Sequence, residues 1–177
     1  MTPLVLAVAL VLQQQAAQQP AAVSAQSGTR QAITDVGRGV AEARSAHDRL
    51  RRAVFNSTDA LVLERAREMQ QRCGELVTIA QSAPGRLCRS CYAAGAQRAI
   101  DAYRIAGLPS VRRVGTRCGN QLTQDLRARN AAAAVRASIR IVSQTITAGL
   151  LPYEAKLYEV RRAFGLEAPP AAPVQRR

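Results

Sequence analysis

From Thr29 to Phe55 the chain places Ile33, Val36, Val40, Ala43, His47, Leu50 and Val54 at steps of 3, 4, 3, 4, 3 and 4. At 3.6 residues per turn these positions form one stripe along a helix, and such a stripe is buried against a neighbouring helix. A strand, whose side chains alternate with a period of two, has no use for this spacing. The rhythm returns at Val62, Ala66, Met69, Cys73, Leu76 and Ala80, and again at Val135, Ile139, Val142, Ile146 and Leu150. No run with strand periodicity interrupts it. Apolar residues make up 47% of the chain, yet there is no Trp, only two Phe and four Tyr. A core of Ala, Val, Leu and Ile on long periodic segments suits packed helices better than a sheet.

The helix ends are marked by local chemistry. "FNST" at 55–58 breaks the first stripe, with Asn56 placed to cap the next helix and Asp59 near its positive end. So short a link makes the first two helices antiparallel neighbours. The second stops at "SAPG", and a third is predicted from Leu87 to Ala106, ending at Gly107-Leu108-Pro109. The stretch after it reads either as a loop or as a helix capped by Ser110. Gly149 and Pro152 break the fourth helix, and Tyr153, Leu157, Val160 and Phe164 define a short last one. The expected fold is all-α: an antiparallel bundle of four main helices plus a short C-terminal helix over residues 26–166, braced by disulfides. Residues 167–177, Pro-rich and basic, are predicted to be a disordered tail.

Before that domain, an apolar run from Leu4 to Leu12 is followed by a stretch with no charge before Arg30. Nine residues are too few to cross a bilayer, which takes about 20. The small residues of Val23-Ser24-Ala25 complete the pattern of a signal peptide over residues 1–25, so the protein is expected to be secreted or periplasmic. Residues 131–151 are interrupted by Arg136 and Arg140 and offer no membrane span. Every charged side chain lies beyond residue 29, so the mature chain keeps the full formal charge of +13.

Export frames the reading of the four cysteines, Cys73, Cys88, Cys91 and Cys118, since an even count in an oxidising compartment points to structural disulfides. A c-type haem anchor needs His after the second cysteine of the CxxC, where Tyr92 stands. An all-cysteine zinc site would use every thiol at spacings unlike a zinc ribbon. No metal or cofactor is therefore expected. Rise per residue along the expected helices puts Cys73 and Cys118 at similar heights, which favours Cys73–Cys118 with Cys88–Cys91 closing on itself. The rival arrangement frays the second helix at Gly74, leaves 108–117 as a loop and lets Cys88 and Cys91 each staple a different neighbour. Arg86 and Arg89 beside Cys88, at an expected helix N-terminus, would favour a thiolate. The pair nonetheless lacks the preceding Trp and the βαβ surroundings of a thioredoxin.

His47, the only histidine, lies on the buried seam and reads as a satisfied core residue. Asp48 is expected to project about 100° away from it. Glu64 with Arg67, Glu68 with Arg65 and Arg72, and Glu154 and Glu159 with Arg161 and Arg162 read as solvated pairs along single helices.

Charge is the functional clue. Residues 26–108 carry 13 basic and 8 acidic side chains, while residues 109–177 carry 12 and 4. Arg112, Arg113, Arg117, Arg129, Arg136 and Arg140 are the anion-binding candidates, the last three spaced to share one helical face. Expected partners are an anionic envelope component, polysaccharide, lipid headgroup or acidic protein. Nucleic acid is disfavoured by export and by the lack of aromatics interleaved with the arginines. Two functions are carried forward: a non-catalytic exported bundle that is structural or binds such an anion, and a thiol–disulfide oxidoreductase or redox sensor using Cys88 and Cys91.

Overall fold

A computed structural model describes the backbone of residues 3–166 and the side chains of residues 23–166. Six helices follow in order: α1 (Pro3–Asn56), α2 (Asp59–Ser82), α3 (Ala94–Ala102), α4 (Leu108–Arg127), α5 (Ala131–Gly149) and α6 (Leu151–Ala163). Among the described residues there is no strand, and no helix is long and apolar enough to cross a membrane. The expected tail at 167–177 lies outside the described residues. The backbone of α1 runs unbroken through the segment assigned to the signal peptide.

The stripes read from the sequence are the core. All seven α1 seam positions are buried, as are Val62, Ala66, Met69, Cys73, Leu76 and Ala80 of α2. Only Ser57 and Thr58 separate α1 from α2, which makes the two an antiparallel hairpin. Thr58, not Asn56, stands at the N-cap of α2, and Asn56 is the last residue of α1. The α2–α4 pair is antiparallel too: Gln70 Nε2 donates to Thr123 Oγ1 at 2.7 Å, Cys73 meets Cys118, and Leu76 lies against Gly115. Ala128–Asn130 turn the chain into α5, where the Asn130 side chain accepts from the Ala133 N–H.

Two expectations fail between residues 87 and 110. The third helix begins at Ala94 rather than Leu87, because residues 83–93 form short 3₁₀ turns tied to α1. Gly107-Leu108-Pro109 does not stop it either. Residues 103–107 make a π-helical turn in which the Leu108 N–H donates to the Tyr103 carbonyl, five residues back, and the chain continues into α4. Proline removes a donor and crowds the carbonyl four residues behind it; the widened turn accommodates both defects without ending the helix. Ser110 accordingly lies inside α4, donating to the Gly107 carbonyl at 2.7 Å, and caps nothing. Counting α3, the π turn and α4 as one long helix, the bundle has four main helices, with α6 as the short C-terminal one packed on the π turn.

Candidate functional site

Cys73 and Cys118 are bonded, their Cα atoms 5.9 Å apart, at the centre of the α2–α4 contact. Cys88 and Cys91 are bonded to each other, with Cα atoms 5.5 Å apart. The rival arrangement, in which each of the latter staples a different helix, is thereby excluded. The pairing is the expected one, although the separate helices along which the heights were reckoned are not: α3 and α4 run on through the π turn. What aligns Cys73 with Cys118 is the antiparallel register of α2 on α4. Gly115 makes it possible, since a Cβ there would stand 2.6 Å from the Cys73 carbonyl oxygen.

The Cys88–Cys91 loop is firmly tethered. Thr29, fully buried on α1, accepts from the Cys88 N–H at 2.8 Å through its hydroxyl, and Gln26 Nε2 donates to the Cys91 carbonyl at 2.6 Å. The Tyr92 hydroxyl donates to the Gln26 carbonyl, and the Tyr92 ring stacks on Phe164 at 4.7 Å between centroids. Cys88 stands before a 3₁₀ turn and α3 begins three residues beyond Cys91, so neither sulfur lies at an α-helical N-terminus. The flanking cations are also engaged: Arg86 pairs with Asp35 at 2.9 Å and Arg89 with Asp101 at 2.8 Å. Both cations beside the disulfide are thus already paired with carboxylates.

The arginine candidates divide. Arg112, Arg113 and Arg117 are exposed on α4 and Arg140 on α5, and none has a carboxylate within 4 Å among the described residues. Arg129 lies in the α4–α5 turn, before the Asn130 cap, and so does not share a helical face with Arg136 and Arg140. Arg136 is structural: it donates to the carbonyls of Val54 at 3.3 Å and Ser57 at 3.1 Å and pairs with Asp59, closing the C-terminal end of α1. Asp125, the one acid in this region, is buried and accepts from Ser138 Oγ and Gln121 Nε2. It joins α4 to α5 instead of neutralising the surface.

Arg113 and Arg117, one turn apart, line a groove of about 490 Å³ between α4 and α5 together with Ser110, Gln144, Thr145 and the first turn of α6. Among the described residues no carboxylate lines it. Gln144 and Thr145 were missed from the sequence: they are ordinary surface residues of α5 until the antiparallel turn sets them opposite Arg113 and Arg117. A Cβ at Gly149 would stand 2.5 Å from Val114 Cγ2, so this glycine lets the two helices close beneath the groove.

His47 is buried, and its Nε2 lies 2.8 Å from Ser143 Oγ on α5. Contrary to expectation Asp48 does approach it, with Oδ1 at 3.6 Å from Nδ1. Burial holds the imidazole below its ordinary pKa, with Arg51 acting in the same direction and Asp48 opposing it. Serine, histidine and aspartate thus stand in sequence, but not as a hydrolytic site. Ser143 is in the middle of α5, where the backbone N–H groups are committed to the helix and none remains to stabilise an oxyanion. No group of three or more His, Cys, Asp or Glu side chains fit to hold a metal occurs among the described residues. The ion pairs also cross between helices more than expected: Arg49 reaches Glu68, Arg72 reaches Glu42 as well as Glu75, and Arg44 holds Glu154.

No family model matches the chain, and neither the curated proteins nor the solved structures searched include a match.

Proposed function

We propose that this is an exported, non-catalytic helical bundle that binds an anionic envelope component through the α4/α5 groove. One observation carries the reading: Arg113 and Arg117 line a half-polar groove that contains no carboxylate among the described residues, beside further arginines without a carboxylate partner. Guanidinium groups present several donors in a fixed plane and match carboxylate, sulfate and phosphate oxygens. Gln144 and Thr145 add neutral hydrogen-bonding groups on the facing wall. Export is supported by the N-terminal pattern and by where engagement with the domain begins. Val23 and Ser24 are exposed, whereas Gln26 and Thr29 clamp the Cys88–Cys91 loop, as suits a mature chain starting near Gln26.

The test is titration of the purified chain with a sulfated polysaccharide at about 50 and 200 mM salt. Binding should weaken steeply over that interval, because screening shortens the reach of exposed charges. Arg113→Gln/Arg117→Gln should weaken it at least tenfold, and Arg51→Gln/Arg52→Gln, which removes the same charge elsewhere, much less. Equal loss in both double variants would reduce the groove to part of a general positive field and sink the reading.

The thiol–disulfide alternative rests on the partly exposed Cys88–Cys91 pair. It predicts reductase turnover abolished by Cys88→Ser, whereas the binding reading predicts polysaccharide affinity unchanged in Cys88→Ser/Cys91→Ser.

A further inference from the structure

A second groove, of about 470 Å³, lies between α1 and α6 and shares no lining residue with the first. Its floor is apolar, with Ile33, Val40 and Leu157 facing it. Gly37 lines it from α1, its Cβ position 3.6 Å from the Tyr153 hydroxyl, an ordinary contact distance. That hydroxyl is the unusual feature. Tyr153 is only 1% exposed and lines the groove, and among the described residues its hydroxyl has no partner beyond the buried Tyr103 hydroxyl beside it, which is otherwise unpartnered too. Buried hydroxyls normally find one. Burial pushes the phenol up to about 12, so it stays neutral, able to donate to an anion.

The rim has the opposite character. Arg30, Arg38, Arg44 and Arg161 line the groove, and Glu154 is the one acid among its described lining residues; Arg44 holds Glu154, and Arg38, largely exposed, also pairs with Asp35 at 2.9 Å. The Arg30 guanidinium stands 6.0 Å from the centre of the Phe164 ring, which also stacks on Tyr92. A greasy floor, a cationic rim and an unused neutral donor select a ligand with a hydrocarbon body and a negative head. The volume falls within the range of small-molecule sites, about 300–1,000 Å³. The chain's own last segment is a poor occupant: beyond Leu166 it has Val174 as its only bulky apolar residue and ends in Arg176 and Arg177, which the rim repels.

We propose that the α1/α6 groove binds a single-chain anionic amphiphile, its acyl chain over Ile33, Val40 and Leu157 and its carboxylate or phosphate head among Arg30, Arg38 and the Tyr153 hydroxyl. This site is additional to the α4/α5 groove and does not depend on it.

The probes are dodecanoate, dodecyl phosphate and dodecyltrimethylammonium, each below its micelle concentration, titrated calorimetrically into the full chain. At least one of the anions should bind saturably at one site, at least tenfold more tightly than the cation. Which anion binds tighter distinguishes a fatty-acid from a phosphate-headed ligand. Arg30→Gln/Arg38→Gln should weaken the anions at least fivefold and narrow the preference over the cation. Ala41→Trp and Thr34→Trp, each placing a bulky ring in the groove from an exposed position, should weaken binding at least tenfold with unchanged helix content and melting temperature. Arg113→Gln/Arg117→Gln should leave it unchanged, which separates this site from the polysaccharide one. Equal affinity for the cation, or wild-type binding in both folded Trp variants, would overturn the proposal.

Discussion

At the scale of single residues, two neighbouring glycines on facing helices have opposite roles. Gly115 is a packing necessity: an added Cβ meets the Cys73 carbonyl at 2.6 Å and Val77 Cγ2 at 2.9 Å, and a backbone carbonyl cannot swing aside. Gly74, in the interior of α2, has nothing within 4 Å of where its Cβ would be. Gly115→Ala is expected to cost about 1–3 kcal/mol through overpacking. Gly74→Ala should gain about 0.5–1 kcal/mol by reducing backbone entropy in the unfolded chain. Chemical denaturation of both variants checks the pair, and equal losses would contradict the contact geometry. His47 yields a prediction in pH. Its folded pKa lies below the ordinary 6.5, so the unfolded chain takes up the proton first as pH falls. Stability from this group is therefore constant above about pH 6.5 and declines below it until the native imidazole is itself protonated. In His47→Gln the decline that sets in below about pH 6.5 should disappear. The lowered carboxyls of Asp35, Glu68 and Glu75 do not obscure the comparison, since their contribution is lost only below about pH 4.5. An unchanged slope in the variant would show that His47 is not the titrating group.

At the scale of elements, the two disulfides differ in what they constrain. Cys73–Cys118 spans 45 residues of sequence and locks α2 to α4, where loop-closure entropy sets a contribution of about 4 kcal/mol. Cys88–Cys91 spans only three and shapes a surface turn, for which the same relation gives about 2 kcal/mol. Cys73→Ala/Cys118→Ala should lower the unfolding free energy by about 2–4 kcal/mol, and Cys88→Ser/Cys91→Ser by clearly less. A larger loss from the second pair would mean that the tethers from Gln26 and Thr29 depend on the closed turn. The legibility of the elements divides along the same line. The seams of α1 and α2 were readable because each of their buried positions obeys one helical period. The 87–110 region was not, because its outcome depends on partners remote in sequence: Thr29 and Gln26 hold residues 88–91 out of the helix, and packing of α6 against the π turn supports a helix that Gly107 and Pro109 alone would end.

At the scale of the whole molecule, a formal charge of +13 makes the folded domain repel itself. The ion pairs relieve this along α1, α2 and α6 but scarcely along the exposed sides of α4 and α5, where among the described residues Arg136 alone of the six candidates has a carboxylate partner. Raising monovalent salt from about 20 to 200 mM shortens the screening length from roughly 20 Å to below 10 Å and should raise the melting temperature by a few degrees. A fall would mean that the surface ion pairs outweigh the repulsion. The candidate site was legible only as a charge bias. The sequence showed arginines in excess over 112–140, but not that Arg136 is consumed by the Val54 and Ser57 carbonyls, nor that Arg113 and Arg117 face Gln144 and Thr145.

By itself the amino-acid order determined the helical class, the buried faces of α1, α2 and α5, and the strong positive charge, because periodicity and net charge are properties of order and composition. Tertiary structure decided the continuity through Pro109, the burial of Asp125, the Ser143 partner of His47 and both grooves. Each of these depends on which helix lies beside which, and in what register.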